Sequence, residues 1–176
     1  MTVGRKVSAI KIKKIHYADP LSAAPTKVGL AEAFNAASKV DNVHQDTFMY
    51  EESEPSVNRY KNQLTGRIYR TDVEESEVSI SFVIGEYDMA TKAAMQGGTE
   101  GDGGASWARG KVKPIYKCLY AVTEDDVCIV FPKACIIGAG TSQDKAIGLK
   151  MKAVPEEVSA DIASEYWYDA NELSLT

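Results

Sequence analysis

Two histidines, three cysteines and two short clusters are the residues here whose chemistry could be more than structural. His16 and His44 lie in separate segments, and neither has a Cys, Asp or His at metal-ligand spacing. Both read as surface or packing residues. Cys118, Cys128 and Cys135 form no C-x-x-C pair and sit in apolar, strand-like runs. They read as small buried hydrophobes of a reducing compartment, with a disulfide or zinc role as the minor reading. The partners of a Ser-His-Asp or Cys-His site meet in space, so sequence leaves that class open, but no G-x-S-x-G elbow is present. Gly104 to Lys111 reads GASWARGK. It has five residues between its glycines where a phosphate-binding P-loop has four, and Val112 stands where Ser or Thr would hold magnesium. The stretch also precedes a strand and not a helix, so it reads as a mobile connection that binds no nucleotide. Glu124, Asp125 and Asp126 lack calcium-loop spacing and read as a solvated hairpin turn. No catalytic, cofactor-binding or metal-binding residue is assigned, and the chain does not read as an enzyme.

The elements around these residues are organised on Glu77 to Gly98. Val78, Ile80, Phe82 and Ile84 alternate with polar residues, the period-two pattern of a strand with one buried face. Ile80 and Phe82 are expected in the core. After Gly85, Asp88 is placed to cap a helix over Met89–Gln96 that Gly97 ends in the left-handed conformation. At ~1.5 Å per residue that helix is roughly 12 Å long, too short to stand alone. It must lean Met89, Ala90, Ala93 and Ala94 on a sheet.

Before it, Val7 to Ile15 reads as the first strand and Leu30 to Ala37 as a helical turn. Asn42 to Tyr50 reads as a strand, and Val57 to Arg70 as another that pairs with the organising strand across the acidic turn Asp72 to Glu75. After it come a strand over 112–122, a turn over Thr123 to Asp126, and a strand from Val127 that Pro132 interrupts with a bulge or edge before Ile137. Gly138 to Asp144 reads as a turn. Ala146 to Val154 reads as a strand with Ile147, Leu149, Met151 and Ala153 inward. Pro155 opens a helix carrying Val158, Ile162 and Tyr166. Many short strands with one short helix predict a mainly β chain, an antiparallel sandwich or barrel of two packed sheets. Residues 1–176 form one domain, with a loose N-terminus over 1–6 and a C-terminal extension over 156–176.

Composition is ordinary for a soluble domain, at 44% hydrophobic and 26% charged. No apolar run approaches the ~20 residues of a membrane span, and no secretory signal is evident, so no membrane anchor is expected. The net charge of −5 argues against a general nucleic-acid binder, because phosphate contacts supply most of that affinity.

One segment fits neither core nor tight turn. Tyr50, Glu51, Glu52, Ser53, Glu54, Pro55, Ser56 and Arg59 bracket an acidic stretch longer and more charged than a hairpin needs. Its carboxylates cannot enter a core without losing solvation, so it reads as an acidic arm, disordered until a neighbour orders it. Lysines of Val7 to Lys14 and the Lys150/Lys152 face are its candidate partners.

Taken in order, YEESEPSVNRY, LTGRIYR, VSISFVIGEYD, ATKAAMQGG, YKCLYAVTEDDVCIVFPKACIIG and KAIGLKMKAVPEE resemble the tail tube proteins of tailed bacteriophages, from about Gly29 to Glu157. The resemblance implies two packed antiparallel sheets with a helix beside them, and six copies in a ring. Rings stack into a hollow tube beside other tail proteins, assembled in the bacterial cytoplasm and resident in the virion. The loop at Tyr50 to Arg59 would then reach the adjacent ring. Six copies give roughly −30 per ring, a wall that would repel phosphates and pass DNA without binding it. The inner tube of a contractile injection or type VI secretion system is the near alternative. A monomeric β-barrel that binds a small molecule or peptide is the alternative from another class.

Overall fold

The computed structural model describes residues 6–173 and Leu175. Half of it is strand and 14% is helix, which makes the chain mainly β, with curled antiparallel sheets in the manner of a sandwich or barrel. The chain opens with β1 (Ile12–Ala18), then α1 (Lys27–Ala36), two short strands β2 (Ser38–Lys39) and β3 (Asn42–Val43), and β4 (Met49–Glu52). It continues through β5 (Ser56–Lys61), β6 (Ile68–Glu74), β7 (Val78–Glu86) and α2 (Met89–Gln96). A small hairpin, β8 (Thr99–Gly101) and β9 (Ser106–Ala108), follows. The last strands are β10 (Ile115–Thr123), β11 (Val127–Gln143), β12 (Ala146–Pro155) and β13 (Tyr166–Asp169).

Nine strands form one antiparallel sheet in the order β2-β1-β10-β11-β12-β7-β3, with β13 added beside β11 and β4 beside β7. The sheet curls because β11 serves two neighbourhoods. Its first half pairs with β13 and its second half with β12. Between them Pro132 and Lys133 together oppose the single residue Cys118, which is the bulge expected at Pro132. Proline has no N–H to give the ladder, and its carbonyl accepts from Leu21 N at 2.9 Å.

Alternation then fills the interior. Leu119, Ala121, Ile129, Phe131, Ile80, Phe82, Ile84, Leu149, Met151 and Ala153 form the inner core, with Ile80 and Phe82 buried as the pattern requires. The reverse face of β10 and β11 is also buried. There Cys118, Tyr120, Val122, Cys128 and Val130 meet Leu30 and Phe34 of α1.

That second core accounts for the first discrepancy. Leu30 to Ala36 is not an isolated turn but the later part of the ten-residue helix α1, which ends at its cap Ala37, so the described residues hold two α-helices. Thr26 starts it by accepting from Gly29 N at 3.2 Å, and Leu30 and Phe34, four residues apart, put one face on the sheet.

Other boundaries move too. The first strand begins at Ile12 and not Val7, because Lys11 adopts φ 49° and Ile10 is exposed. The run Asn42 to Tyr50 splits into β3 and β4 around Asp46, at φ 59°. Gly138 to Gln143 belongs to β11, and the turn falls at Asp144 and Lys145, both at positive φ. Ile147 lies on the projecting end of β12 and is exposed, while Leu149, Met151 and Ala153 point inward as expected. No helix starts at Pro155. Tyr166 enters β13 instead, because the free edge of β11 offers backbone partners. The expected loose N-terminus falls largely outside the described residues.

The short helix α2 spans the expected residues. Asp88 Oδ1 accepts from Thr91 N at 2.6 Å, and Gly97 ends the helix at φ 80° with an extended ψ, not the left-handed helical one. Met95 is its buried residue, whereas Ala90 is exposed. A Cβ on Gly138 would stand 2.5 Å from Met95 O, so glycine there is what lets α2 lie against β11.

Candidate interaction site

The residues singled out by chemistry are scattered. His16 is buried, stacked on Phe34 at 4.0 Å between centroids, with Nδ1 donating to Phe34 O at 3.2 Å. Burial, with Lys14 and Lys39 nearby, holds its pKa below the usual imidazole value despite that hydrogen bond. His44 instead lies 3.5 Å from Asp144 near the surface. The three thiols are free, and burial pushes those of Cys118 and Cys128 up to about 12. These two are packing residues of the second core.

The glycine-rich stretch is ordered over 99–108, while 109–111 lie outside any strand or helix. It folds as the β8–β9 hairpin, pinned by Trp107 Nε1 donating to Gly97 O at 2.9 Å and by Lys92 4.4 Å from the Trp107 ring. Asp126 holds the β10–β11 turn at φ 59° and pairs with Lys13 at 3.3 Å. No cluster of three metal-ligating side chains occurs among the described residues. Among them, too, no helix is long and apolar enough to cross a membrane.

The segment 50–59 is where structure and expectation part most. Tyr50 is not free: its hydroxyl donates to Glu165 Oε1 at 3.0 Å and its ring meets Trp167 edge-on at 5.6 Å. Together they close the seam between β4 and β13. Burial, then the Glu165 carboxylate, raises the Tyr50 pKa. Glu51 and Glu52 pair with Ser79 and Val78 inside the sheet. Ser53 N donates to Glu77 O at 3.0 Å, and Ser53 Oγ accepts from Glu77 N at 2.8 Å. Glu54 and Pro55 link this to Ser56 and Arg59 on β5. The acidic segment is therefore a ladder and not a disordered loop.

What projects is the stretch beyond it. β5 pairs with β6, and not β6 with β7, so the expected hairpin across Asp72 to Glu75 does not exist. The turn lies instead at Asn62 to Arg67. Asn62 Oδ1 accepts from Leu64 N at 2.8 Å, Asn62 N donates to Arg67 O at 2.8 Å, and Gly66 takes φ 68°. The two ladders share one register. Met49↔Ser81 and Glu52↔Val78 in the sheet, and Ser56↔Glu74 and Tyr60↔Arg70 beyond it, all have residue numbers adding to 130. One ribbon thus runs through the sheet and out of it. Its outer part buries nothing on its own domain: every residue of β5 is exposed, and on β6 only Asp72 is partly covered.

The two faces of this arm differ. On one, Asn58 Nδ2 donates to Glu74, Arg70 Nε donates to Asp72 Oδ1 at 2.9 Å, and Arg70 lies over the Tyr60 ring. That face satisfies itself. The other presents the cross-strand pair Val57 and Val73, with Tyr69 and Ile68 opposite Lys61 at a bulge. Val73 is 64% and Tyr69 69% exposed, and Leu64 at the tip is 95% exposed. Arg59, Lys61 and Arg67 make no ion pair among the described residues. Residues 56–74 carry four cations and two carboxylates, a net +2 against −5 for the whole chain, so the remainder carries −7. The projecting arm is basic, and the acidic residues form its root. The signal missed in the sequence was NQLTG, an Asn and a Gly four residues apart between two strand patterns.

Two concavities among those on the described residues bear on the arm and its root. One, of about 710 Å³, is lined by Ile12, Val43, Phe48, Tyr50, Ile129 and Trp167, together with Lys11, His44, Asp46 and Glu124. The other, of about 700 Å³, lies along residues 75–78 and 154–164. No family model matches the chain. Comparison with curated proteins also gives no significant match.

Proposed function

We propose that this chain is a structural subunit that assembles with copies of itself, specifically a subunit of a bacteriophage tail tube built from stacked hexameric rings. The observation that carries the reading is the basic ribbon, which extends in register from the sheet and covers none of its own domain. An isolated two-stranded hairpin is marginal in water, so such an arm gains its stability and its use from a surface outside the domain. A mainly β, curled antiparallel body with a short capped helix agrees with what the tail tube resemblance implies. The net charge of −5 is compatible with a conduit that passes DNA without holding it. The tube of a contractile injection or type VI secretion system satisfies the same observations.

The cavity lined by Phe48, Tyr50 and Trp167 favours one other reading, a monomeric β-barrel that takes an apolar or aromatic ligand there. Negative-stain microscopy of concentrated protein, with solution mass alongside, separates the two. Rings or tubes are expected. A monomer at every concentration, with a small molecule bound at the Trp167 end, would replace the tube reading.

A further inference from the structure

The arm has one finished face and one unfinished face, and the charges on the unfinished face have a counterpart elsewhere on the chain. The groove along residues 154–164 is lined by Glu75, Glu157 and Asp161, none of which makes an ion pair among the described residues, and by Glu77, which Lys152 holds at 3.1 Å. No lysine or arginine lines the groove among the described residues. Lys133, beside it, donates to the backbone carbonyl of Glu157 at 3.5 Å and pairs with Glu156 at 3.4 Å. Its walls include Val78, Val154, Pro155 and Ile162. Exposed carboxylates beside these apolar side chains favour a cationic, partly apolar occupant.

The occupant cannot be the same molecule's arm, because its root at Glu75 borders this groove and the ribbon leads away in register from the sheet. From Ser53 to Leu64 the ribbon spans twelve residues, roughly 35 Å at ~3.3 Å per residue. That is comparable with the diameter of roughly 40 Å expected for a domain of this size. An arm of this length reaches the equivalent groove on an adjacent copy.

We infer that the arm face bearing Val57, Arg59, Lys61, Tyr69 and Val73 docks in the acidic groove lined by Glu75, Glu157 and Asp161 of a second copy of this chain. The inference rests on the subunit reading above and adds which surfaces meet. It reverses the polarity that the sequence suggested, since the arm brings the cations and the body supplies the carboxylates. The Val57–Val73 pair meets Val78, Val154, Pro155 and Ile162, while Arg59 and Lys61 meet the carboxylates. Such a contact joins different patches on the two copies, so it propagates around a ring or along a filament. Exposed charge pairs govern partner choice and association rate, so assembly is also expected to slow as salt rises.

The experiment is a charge-reversal exchange read by sedimentation and light scattering of the full chain. Arg59→Glu with Lys61→Glu is expected to weaken self-association by about tenfold or more, and Glu157→Lys with Asp161→Lys to do the same. Mixing the two variants is expected to restore assemblies in which the two alternate, because the arm of each then meets a groove of opposite sign on the other. Combining all four changes in one chain is expected to restore association to near the wild-type level, because the charges again oppose. A photo-crosslinker at position 69 should label residues 154–164 of another copy. If the wild type assembles and either reversal leaves it unchanged, or the label lands elsewhere, the docking assignment is wrong and the tube reading stands. If the wild type stays monomeric throughout, both fail.

Discussion

Removing the arm should not unfold the body, and the shared register makes the cut well defined. Replacing residues 56–74 by Asn-Gly would join Pro55 to Glu75, which face each other in the continued ladder, through a two-residue turn suited to the strand twist. The deleted residues touch little but themselves, so the lost interactions are those of a lone hairpin, with net stability near zero. Closing two residues in place of nineteen removes loop entropy of (3/2)RT ln(19/2), about 2 kcal/mol in favour of the shortened chain. The expected result is therefore unchanged stability or a gain of up to about 2 kcal/mol, a rise in Tm of no more than roughly 8 °C for a chain of this size. Urea unfolding followed by circular dichroism and tryptophan fluorescence measures it, since Trp107 and Trp167 both lie outside the deletion. The denaturant slope should fall only slightly, because little buried surface is lost. A loss of more than about 1 kcal/mol would refute the reasoning, for it would mean that the arm packs on its own body.

Three further outcomes follow from the interior. Phe82→Ala, at a fully packed position opposite Met151, should cost ~3–5 kcal/mol in the same unfolding assay, and a loss below about 1 kcal/mol would contradict the inward facing of β7. Gly138→Ala should cost about 1–3 kcal/mol, because the new methyl meets Met95 O at 2.5 Å and must push α2 off β11; an unchanged Tm would show the helix to be loosely seated. His16 has a folded pKa below the ordinary 6.5, so the unfolded chain binds its proton first, and stability should be present above pH 6.5 and lost as pH falls from there through the folded value. His16→Phe, which keeps the stack on Phe34, should flatten that part of the pH–stability curve, and an unaltered slope would assign the acid sensitivity to other groups.

Where local pattern and local chemistry coincide, the sequence was enough. Asp88 and Gly97 bound α2 to the residue, Val78 to Ile84 declared a strand, and Pro132 announced its bulge. The failures have a common cause, which is that partners are chosen across the fold. Leu64, Gly66 and Ile68 alternate as a strand would, yet Asn62 and Gly66 close a turn there, and the alternation was incidental. Tyr166 has helical spacing with Ile162, but an open backbone edge on β11 is worth more to it than one face of a short helix. For the candidate interaction site, Arg59 and the break around Pro55 were legible. The sign of the arm was not, because Glu51 and Glu52 are joined in sequence to the projecting strand but paired in space with β7.

The place of β10 and β11 at the centre of the sheet has a consequence for synthesis. β1 has its long ladder with β10, whose paired residues lie 100 to 111 positions further along the chain. Leu30 and Phe34 wait for the same pair of strands to give them a surface. At ~5–20 residues per second, β1 waits roughly 5–20 seconds for β10, with only the short β2 and α1 contacts near it in sequence to hold it. By contrast, β10, β11, β12 and β13 are consecutive in the sheet's later connections and find one another almost as they emerge. The last third of the chain is thus expected to pair first, and the first third to gain its long-range partners only once that part has emerged.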